Sequence, residues 1–254
     1  MNSKLVVFAD IDGSLLNNAY ETSDIEPILK QLLGLGVTVV FDSSKTAAEV
    51  MYYRKKWRIK DPFIVENGSA IFIPNGYFKQ TQKAAKHTAD YQIIEYGLPY
   101  SVIREILAAA KTRVDADIRG FGDMTAQELA ADCGLPFELA VLAKQRRYSE
   151  PFKVLGGGED TVLKAVAGRG LSVTRGGRYL HVMGDADKGK AALALKKMFL
   201  NEYDGVFTVA VGDSANDLPL LNVVDKMFWV DQENPRETVW RQILMLAQTQ
   251  VSIC

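Results

Sequence analysis

Apolar residues fall along this chain in two rhythms, short runs and longer stretches spaced by threes and fours. Runs at 5–9 (Leu-Val-Val-Phe-Ala), 37–41, 63–66 and 207–211, apolar but for Thr38, Glu66 and Thr208, are short and bounded by turn formers, so they predict buried strands. Between them, 24–35, 47–58 and 190–203 carry apolar residues at helical spacing. Ser23 or Asp24 is placed to cap the first of these helices and Gly36 to end it. The order β-α-β-α-β implies a parallel sheet. Residues 70–73 then pair back as a strand before the turn Pro74-Asn75-Gly76. Near the other end, 218–223 predicts a short helix, 226–230 a last strand and 235–247 a last helix with Pro235 by its first turn.

From about residue 84 the rhythm changes. A strand at 91–96 is followed by helical patterns at 100–113, 125–133 and 137–147, the second opened by Thr125 with Glu128 three residues on. A strand at 152–155, a helix at 159–167 and a hairpin over 171–183, turning at Gly176-Gly177, complete the block. The expectation is an α/β protein: a doubly wound parallel sheet built from 1–83 and 185–254, with an α+β module inserted at 84–184.

Composition narrows the function classes. Lys+Arg 30 against Asp+Glu 31 gives a net charge of −1, which supplies no overall basic field for nucleic acid or an anionic membrane. Cys133 and Cys254 have no paired metal-binding spacing and fit a reducing compartment. The chain enters its first strand with no room for a signal sequence, and no apolar run approaches membrane-spanning length, so a soluble, cytoplasmic protein is expected.

Chemistry gathers where the strands end. The first run closes on Asp10-Ile11-Asp12-Gly13-Ser14, the second on 42–46 (Asp-Ser-Ser-Lys-Thr), and the run at 207–211 on 212–217 (Gly-Asp-Ser-Ala-Asn-Asp); Lys188 precedes the helix leading into that last strand. Parallel strands put these clusters on one edge of one sheet, where open α/β folds bind ligands. Taken singly, each has an ordinary explanation: an acidic turn at 10–14, or Ser43, Ser44 or Thr46 as a helix N-cap. Together they fit phosphoryl transfer. A phosphate dianion repels a carboxylate nucleophile, so the site needs cations: a lysine, and a hard metal ion held by oxygen ligands. Asp10 and Asp12 fit nucleophile and acid/base by position, and Asp213 with Asp217 fits a metal shell.

The arrangement resembles the haloacid dehalogenase superfamily of phosphatases. Its DxDGT motif is matched by Asp10, Asp12, Gly13 and Ser14, with serine for the usual threonine; its strand-end hydroxyl by Ser43; its lysine by Lys188; and its GDxxND motif by 212–217. The resemblance implies a Rossmann-like core and Mg²⁺ held by Asp10, the Asp12 main-chain carbonyl and Asp213, with Asp217 direct or behind them. It also implies Asp10 as nucleophile, Asp12 as general acid/base, and an α+β cap of the Cof-like kind that sets substrate specificity. A signalling receiver domain also clusters aspartates, a hydroxyl and a lysine, but the long insertion and the 212–217 motif speak against it.

Within that group the chain is similar to the mannosyl-3-phosphoglycerate phosphatases, through 44–46 with Glu49, 62–68, 71–74 with 76–78, 120–124, 143–146 with Tyr148 and 150–152, and 176–178. This likeness implies a phosphorylated glycoside substrate and, as product, mannosylglycerate, a compatible solute. A glycerate carboxylate calls for an arginine fork and sugar hydroxyls for amide, carboxylate and imidazole groups. Arg146, Arg175 and Arg178 are candidates for the first, Gln145, Glu150 and His181 for the second, with Lys45 and Asn67 at the core strand ends. Each of the cap residues also reads as a solvated charge or an ordinary strand residue. Rivals within the enzymes are a phosphatase of the same build acting on glucosyl-3-phosphoglycerate or another sugar phosphate, and a phosphomutase. Tyr52, Tyr53 and Trp57, at helical spacing, read as packing.

Overall fold

The computed structural model describes residues 3–17, 19–80, 85–114 and 116–251, with side chains through residue 249. In chain order the elements begin β1 (Ser3–Ala9), α1 (Glu26–Gly34), β2 (Thr38–Asp42), α2 (Ala47–Trp57), β3 (Phe63–Val65), β4 (Ala70–Pro74), β5 (Lys86–His87) and β6 (Tyr91–Glu95). There follow α3 (Tyr100–Val114), β7 (Asp117–Gly120), α4 (Ala126–Cys133), α5 (Phe137–Ala143), β8 (Ser149–Leu155), α6 (Glu159–Ala167), β9 (Ser172–Gly176) and β10 (Tyr179–Met183). The chain closes with α7 (Lys188–Leu200), β11 (Gly205–Gly212), α8 (Leu218–Leu221), β12 (Lys226–Trp229) and α9 (Arg236–Val251).

Among the described residues the larger sheet runs β12-β11-β1-β2-β3-β4-β6-β5, parallel from β12 to β3 and antiparallel beyond. Both faces are covered, which is why its central strands are mostly apolar. Val7, Ala9, Val39 and Phe41 pack with α1, α2 and α9 through Leu29, Val50, Trp57 and Trp240. Val6, Phe8, Val40 and Ile64 pack with α7 and α8 through Ala191, Leu195, Phe199 and Leu220. Ala9 lies beside both Phe41 and Val211, so β1, β2 and β11 end level with one another. The polar residues that follow them are therefore neighbours.

A second, antiparallel sheet, β7-β8-β10-β9, carries α3 and α6 on one face. Alternation decides which residues face those helices: Phe152, Leu180 and Val182 pack there with Ile103, Leu107, Val162 and Val166. The opposite face, with Tyr179 and His181, looks toward the first sheet. Helix α5 reaches the core at α2, where the Thr46 hydroxyl donates to the Leu142 carbonyl at 3.0 Å.

Several boundaries differ from the expectations. The strand at 91–96 was assigned to the inserted module, yet β6 pairs antiparallel with β4 (Ile71 beside Ile94) and belongs to the core sheet. The chain thus leaves the core after Glu95; residue 84 itself lies outside the described residues, as does Cys254. Neither Ser23 nor Asp24 caps α1: the N-cap is Ile25, and both Asp24 carboxylate oxygens accept from Arg236 Nη2, at 2.7 and 2.6 Å. The helix expected at 137–147 stops at Ala143, and α7 starts two residues early, at Lys188. Thr46 does cap α2, in a reciprocal box with Glu49. Tyr53 and Trp57 stack at 5.3 Å in the core, as packing residues should. No helix among the described residues is long and apolar enough to cross a membrane.

Candidate active site

Lys188 is the centre of the site. Its ammonium, fully buried, donates to Asp10 Oδ1 at 2.5 Å and to Asp217 Oδ1 at 2.6 Å. A lysine at the first position of a helix opposes the macrodipole, and here flanking acids offset that cost. Asp187 caps the same helix by accepting from Lys190 N at 2.8 Å. Burial works against the Lys188 charge, but Asp10, Asp217 and Asp42 more than compensate and hold its pKa above the ordinary value.

Around this one ammonium the carboxylates are in excess. Burial pushes Asp10 well above the usual carboxylate range, against the pull of Lys188 and with help from Asp217, Asp213 and Asp12. Asp213 rises to about 7, mainly through burial and then Asp217. Surplus negative charge of this kind is relieved by protons or by a cation. One oxygen from each of Asp10, Asp213 and Asp217 lies within 4.8 Å of the others, and Asp213 Oδ1 is buried with no hydrogen-bond partner. This all-oxygen donor set fits a hard divalent cation. Gly13 makes the approach possible: its φ is +77°, and a Cβ there would stand 2.2 Å from Asp213 Oδ2. The turn is fixed from beneath by the Trp240 indole, which donates to the Ser14 carbonyl at 2.8 Å.

Asp217 has few lone pairs to spare. Its Oδ2 accepts from the main-chain N–H groups of Asp213 and Ser214, both at 3.0 Å, while Oδ1 holds Lys188. It shapes the loop that presents Asp213. The Asp12 carboxylate stands outside the three-acid group, 2.9 Å from Lys45 Nζ, so any part Asp12 has in holding a metal falls to its main chain. Lys45 is also 3.6 Å from Glu49.

Asp42, on β2 beside this cluster, is fully buried and neither of its oxygens has a partner. Burial raises its pKa well above 3.8 despite Lys188. A raised pKa leaves stability intact below the unfolded value and removes it as pH climbs through the folded one. Asp42→Asn, which cannot ionise, should therefore raise the Tm of the metal-free protein by about 2–4 °C at about pH 8 and leave it nearly unchanged near pH 4. Calorimetric melts at the two pH values check this; a gain confined to acid would refute it.

Above these groups lies a cavity of about 650 Å³ between core and cap. Asp10, Asp12, Lys45, Glu49, Asp213 and Asn216 line it from the core, and Arg146, Arg178, Tyr179 and His181 from the cap. Arg178 donates to the Cys133 carbonyl at 2.6 Å, which holds it at the rim. His181 is buried, and burial, then Arg146 and Lys188, lower its pKa to about 3, so the imidazole is neutral with one donor and one acceptor nitrogen.

Other candidates fall elsewhere. Glu150 shares the helix-facing side of β8 with Phe152 and is used up by Tyr100 (2.7 Å), Arg104 (2.7 Å) and Gly122 N (2.8 Å). Arg175 lies beside Leu180 on that same face and pairs with Glu159 on α6. Gln145 is exposed and absent from the cavity wall. Asn67 sits behind the wall, accepting from Asn216 Nδ2 at 3.0 Å. Ser43 is also behind it, its hydroxyl accepting from Lys45 N at 3.2 Å, while Ser44 reaches the cavity. Tyr20, Glu49 and Asn216 also line the cavity; the last two belong to the family motifs without a site role expected of them, and Tyr20 to none. Glu49, four residues beyond Lys45 on a predicted helix, carried a readable signal; Tyr20 carried none.

A sheet covered by helices on both faces, with a capping module closed over a lysine shared by strand-end aspartates, defines a class of phosphohydrolase, and sequence comparison agrees: the profile of the haloacid dehalogenase-like hydrolases matches residues 7–112. The chain belongs to that family. Its similar relatives include the glucosyl-3-phosphoglycerate/mannosyl-3-phosphoglycerate phosphatase of Methanococcoides burtonii, 39% identical over 90% of this chain and 85% of the relative. They also include the mannosyl-3-phosphoglycerate phosphatase of Pyrococcus horikoshii, 42% identical over 89% of this chain and 90% of the relative. In fold it is similar to a solved Thermoplasma acidophilum structure, with a TM-score of 0.68 at 19% identity over 98% of this chain and 99% of that one.

Proposed function

We propose that this protein is a Mg²⁺-dependent phosphatase that hydrolyses mannosyl-3-phosphoglycerate to mannosylglycerate and phosphate through an aspartyl-phosphate on Asp10. The observation that carries the reading is Lys188, clamped between Asp10 and Asp217 under a cavity whose cap wall offers Arg146, Arg178 and a neutral His181. The names of the relatives point to the same substrates.

An Asp10 oxygen attacks phosphorus, the phosphorus–oxygen bond to glycerate breaks, and Asp12 gives its proton to the departing oxygen. In the second half Asp12 takes a proton from water as that water attacks the phosphoaspartate, releasing phosphate and restoring Asp10. Lys188 keeps the Asp10 carboxylate aligned and offsets phosphoryl charge. Ser43, through its hydroxyl, orders the main chain at Lys45, which faces the phosphoglycerate. A bound Mg²⁺ would add positive charge at the phosphoryl oxygens, with Asp10, Asp213 and the Asp12 main chain as the groups placed to hold it. Arg146 and Arg178 suit the glycerate carboxylate, and His181 a sugar hydroxyl.

A glucosyl preference is the second reading, favoured by the double name of the Methanococcoides burtonii relative. Initial rates of phosphate release on the two glycosyl-3-phosphoglycerates, with Mg²⁺ and after chelation, test both. The mannosyl ester is expected to have the higher kcat/KM and chelation to abolish turnover. Release from hexose phosphates or sucrose phosphate, with neither glycosyl-phosphoglycerate used, would overturn the reading.

A further inference from the structure

Glu66 lies outside the reaction just described, yet it is among the most constrained residues in the molecule. It follows β3 in a turn where Glu66, Asn67 and Gly68 have φ of +48°, +57° and +87°. Two consecutive non-glycine residues in the left-handed region are uncommon and point to a constraint elsewhere. The turn is bonded to the strand-end loop that carries Ser43 and Lys45: Glu66 N donates to Lys45 O and Asn67 N to Ser43 O, both at 3.0 Å.

The Glu66 side chain leaves the core altogether. Although only 1% of the residue is exposed, its carboxylate accepts from Arg147 N at 2.9 Å, Tyr148 N at 3.1 Å and the Ser149 hydroxyl at 2.7 Å, all at the start of the cap strand β8. Arg146, the residue just before, returns across the seam. Its Nη1 donates to Ser44 O at 2.7 Å and Ser149 Oγ at 3.1 Å, and lies 3.8 Å from Glu66. The contacts close a ring: the 43–45 loop holds Glu66, Glu66 holds 147–149, and Arg146 comes back to the loop. Arg146 lines the cavity, and its Nε is buried without a partner.

We propose that Glu66 is a positioning residue for substrate recognition: it fixes the cap residues 147–149 against the 43–45 loop and thereby sets Arg146 at the distance from the phosphoryl site that a carboxylate-bearing phosphate ester requires. The proposal rests on the phosphatase reading above, and the experiment separates the two. A small aryl phosphate reports the phosphoryl chemistry without needing Arg146, whereas the glycosyl-3-phosphoglycerate needs both.

Glu66→Gln keeps the shape but gives up one of the two accepting oxygens. It should raise KM for the glycosyl-3-phosphoglycerate about tenfold while kcat on the aryl phosphate stays within about twofold. Because Glu66 acts through Arg146, the pair Glu66→Gln with Arg146→Ala should bind the natural ester no worse than Arg146→Ala alone. Ser149→Ala, which removes only the bridge between the two side chains, should show the same KM-selective loss in milder form and covers the case of a Glu66 variant that does not fold. Equal losses on both substrates in Ser149→Ala, or additive effects in the double variant, overturn the proposal. Wild-type protein inactive on both ester classes would instead overturn the phosphatase reading.

Discussion

Asp10→Asn is expected to fold as the wild type does and to lose phosphate release by about four orders of magnitude or more. The amide is the same size but a poor nucleophile, and nothing nearby is placed to replace it: the Asp213 carboxylate belongs to the three-acid group that fits a cation, and the Asp12 carboxylate is paired with Lys45. The fold should tolerate the change because the buried Asp10 carboxyl already has a strongly raised pKa, so its charge is a burden on the folded state. Lys188 keeps Asp217 as a partner. Phosphate release under saturating substrate, beside a thermal melt, checks both halves. A rate within tenfold of wild type would sink the assignment of Asp10 as nucleophile, and a collapsed melt would sink the claim that its charge burdens the fold.

Lys188→Met should damage both function and fold. Methionine fills the space but leaves Asp10 and Asp217 side by side with no cation, and breaking a buried ion pair from one side costs about 3–5 kcal/mol. For a chain of this size that corresponds to a Tm loss of about 10 °C at neutral pH. The sign of the pH dependence follows from the acids. Without the ammonium, whose pull lowers it, the raised Asp10 pKa climbs further, so stability is retained below the unfolded carboxylate value and drains away as pH climbs. The melting deficit should thus shrink on acidification toward about pH 4, and activity should stay lost at every pH. A deficit independent of pH would show that Lys188 matters through packing alone.

Much of this was legible in the sequence because the core strands announce themselves. Leu5 to Ala9 has no polar position, which only a strand covered on both faces tolerates, and the acids that follow can only emerge at its end. The same logic placed Asp213, while Lys188 was legible from its position ahead of the helix that leads into that strand. It did not place the short polar strands β5 and β7, where Lys86–His87 and Asp117–Gly120 offer no apolar run. Nor could pattern alone tell that β6 joins the core sheet, since its alternation suits either sheet. In the cap the signal existed but lay in parity. Leu180 and Val182 are the helix-facing positions of β10, so His181 faces the cavity, and the same count along β8 and β9 turns Glu150 and Arg175 away. Glu66 was beyond reach for another reason: nothing in a run of Phe-Ile-Val-Glu announces left-handed backbone.

The two walls of the cavity come from separate stretches of chain. Every acid of the phosphoryl site lies outside residues 97–183, and the cap arginines and imidazole lie inside it. Selection can therefore rewrite one continuous segment to accept a new ester while the hydrolytic floor is inherited unchanged. The seam sets the limit on such tinkering, because a replacement segment must bring two main-chain N–H groups and a Ser149-like hydroxyl into register to meet Glu66.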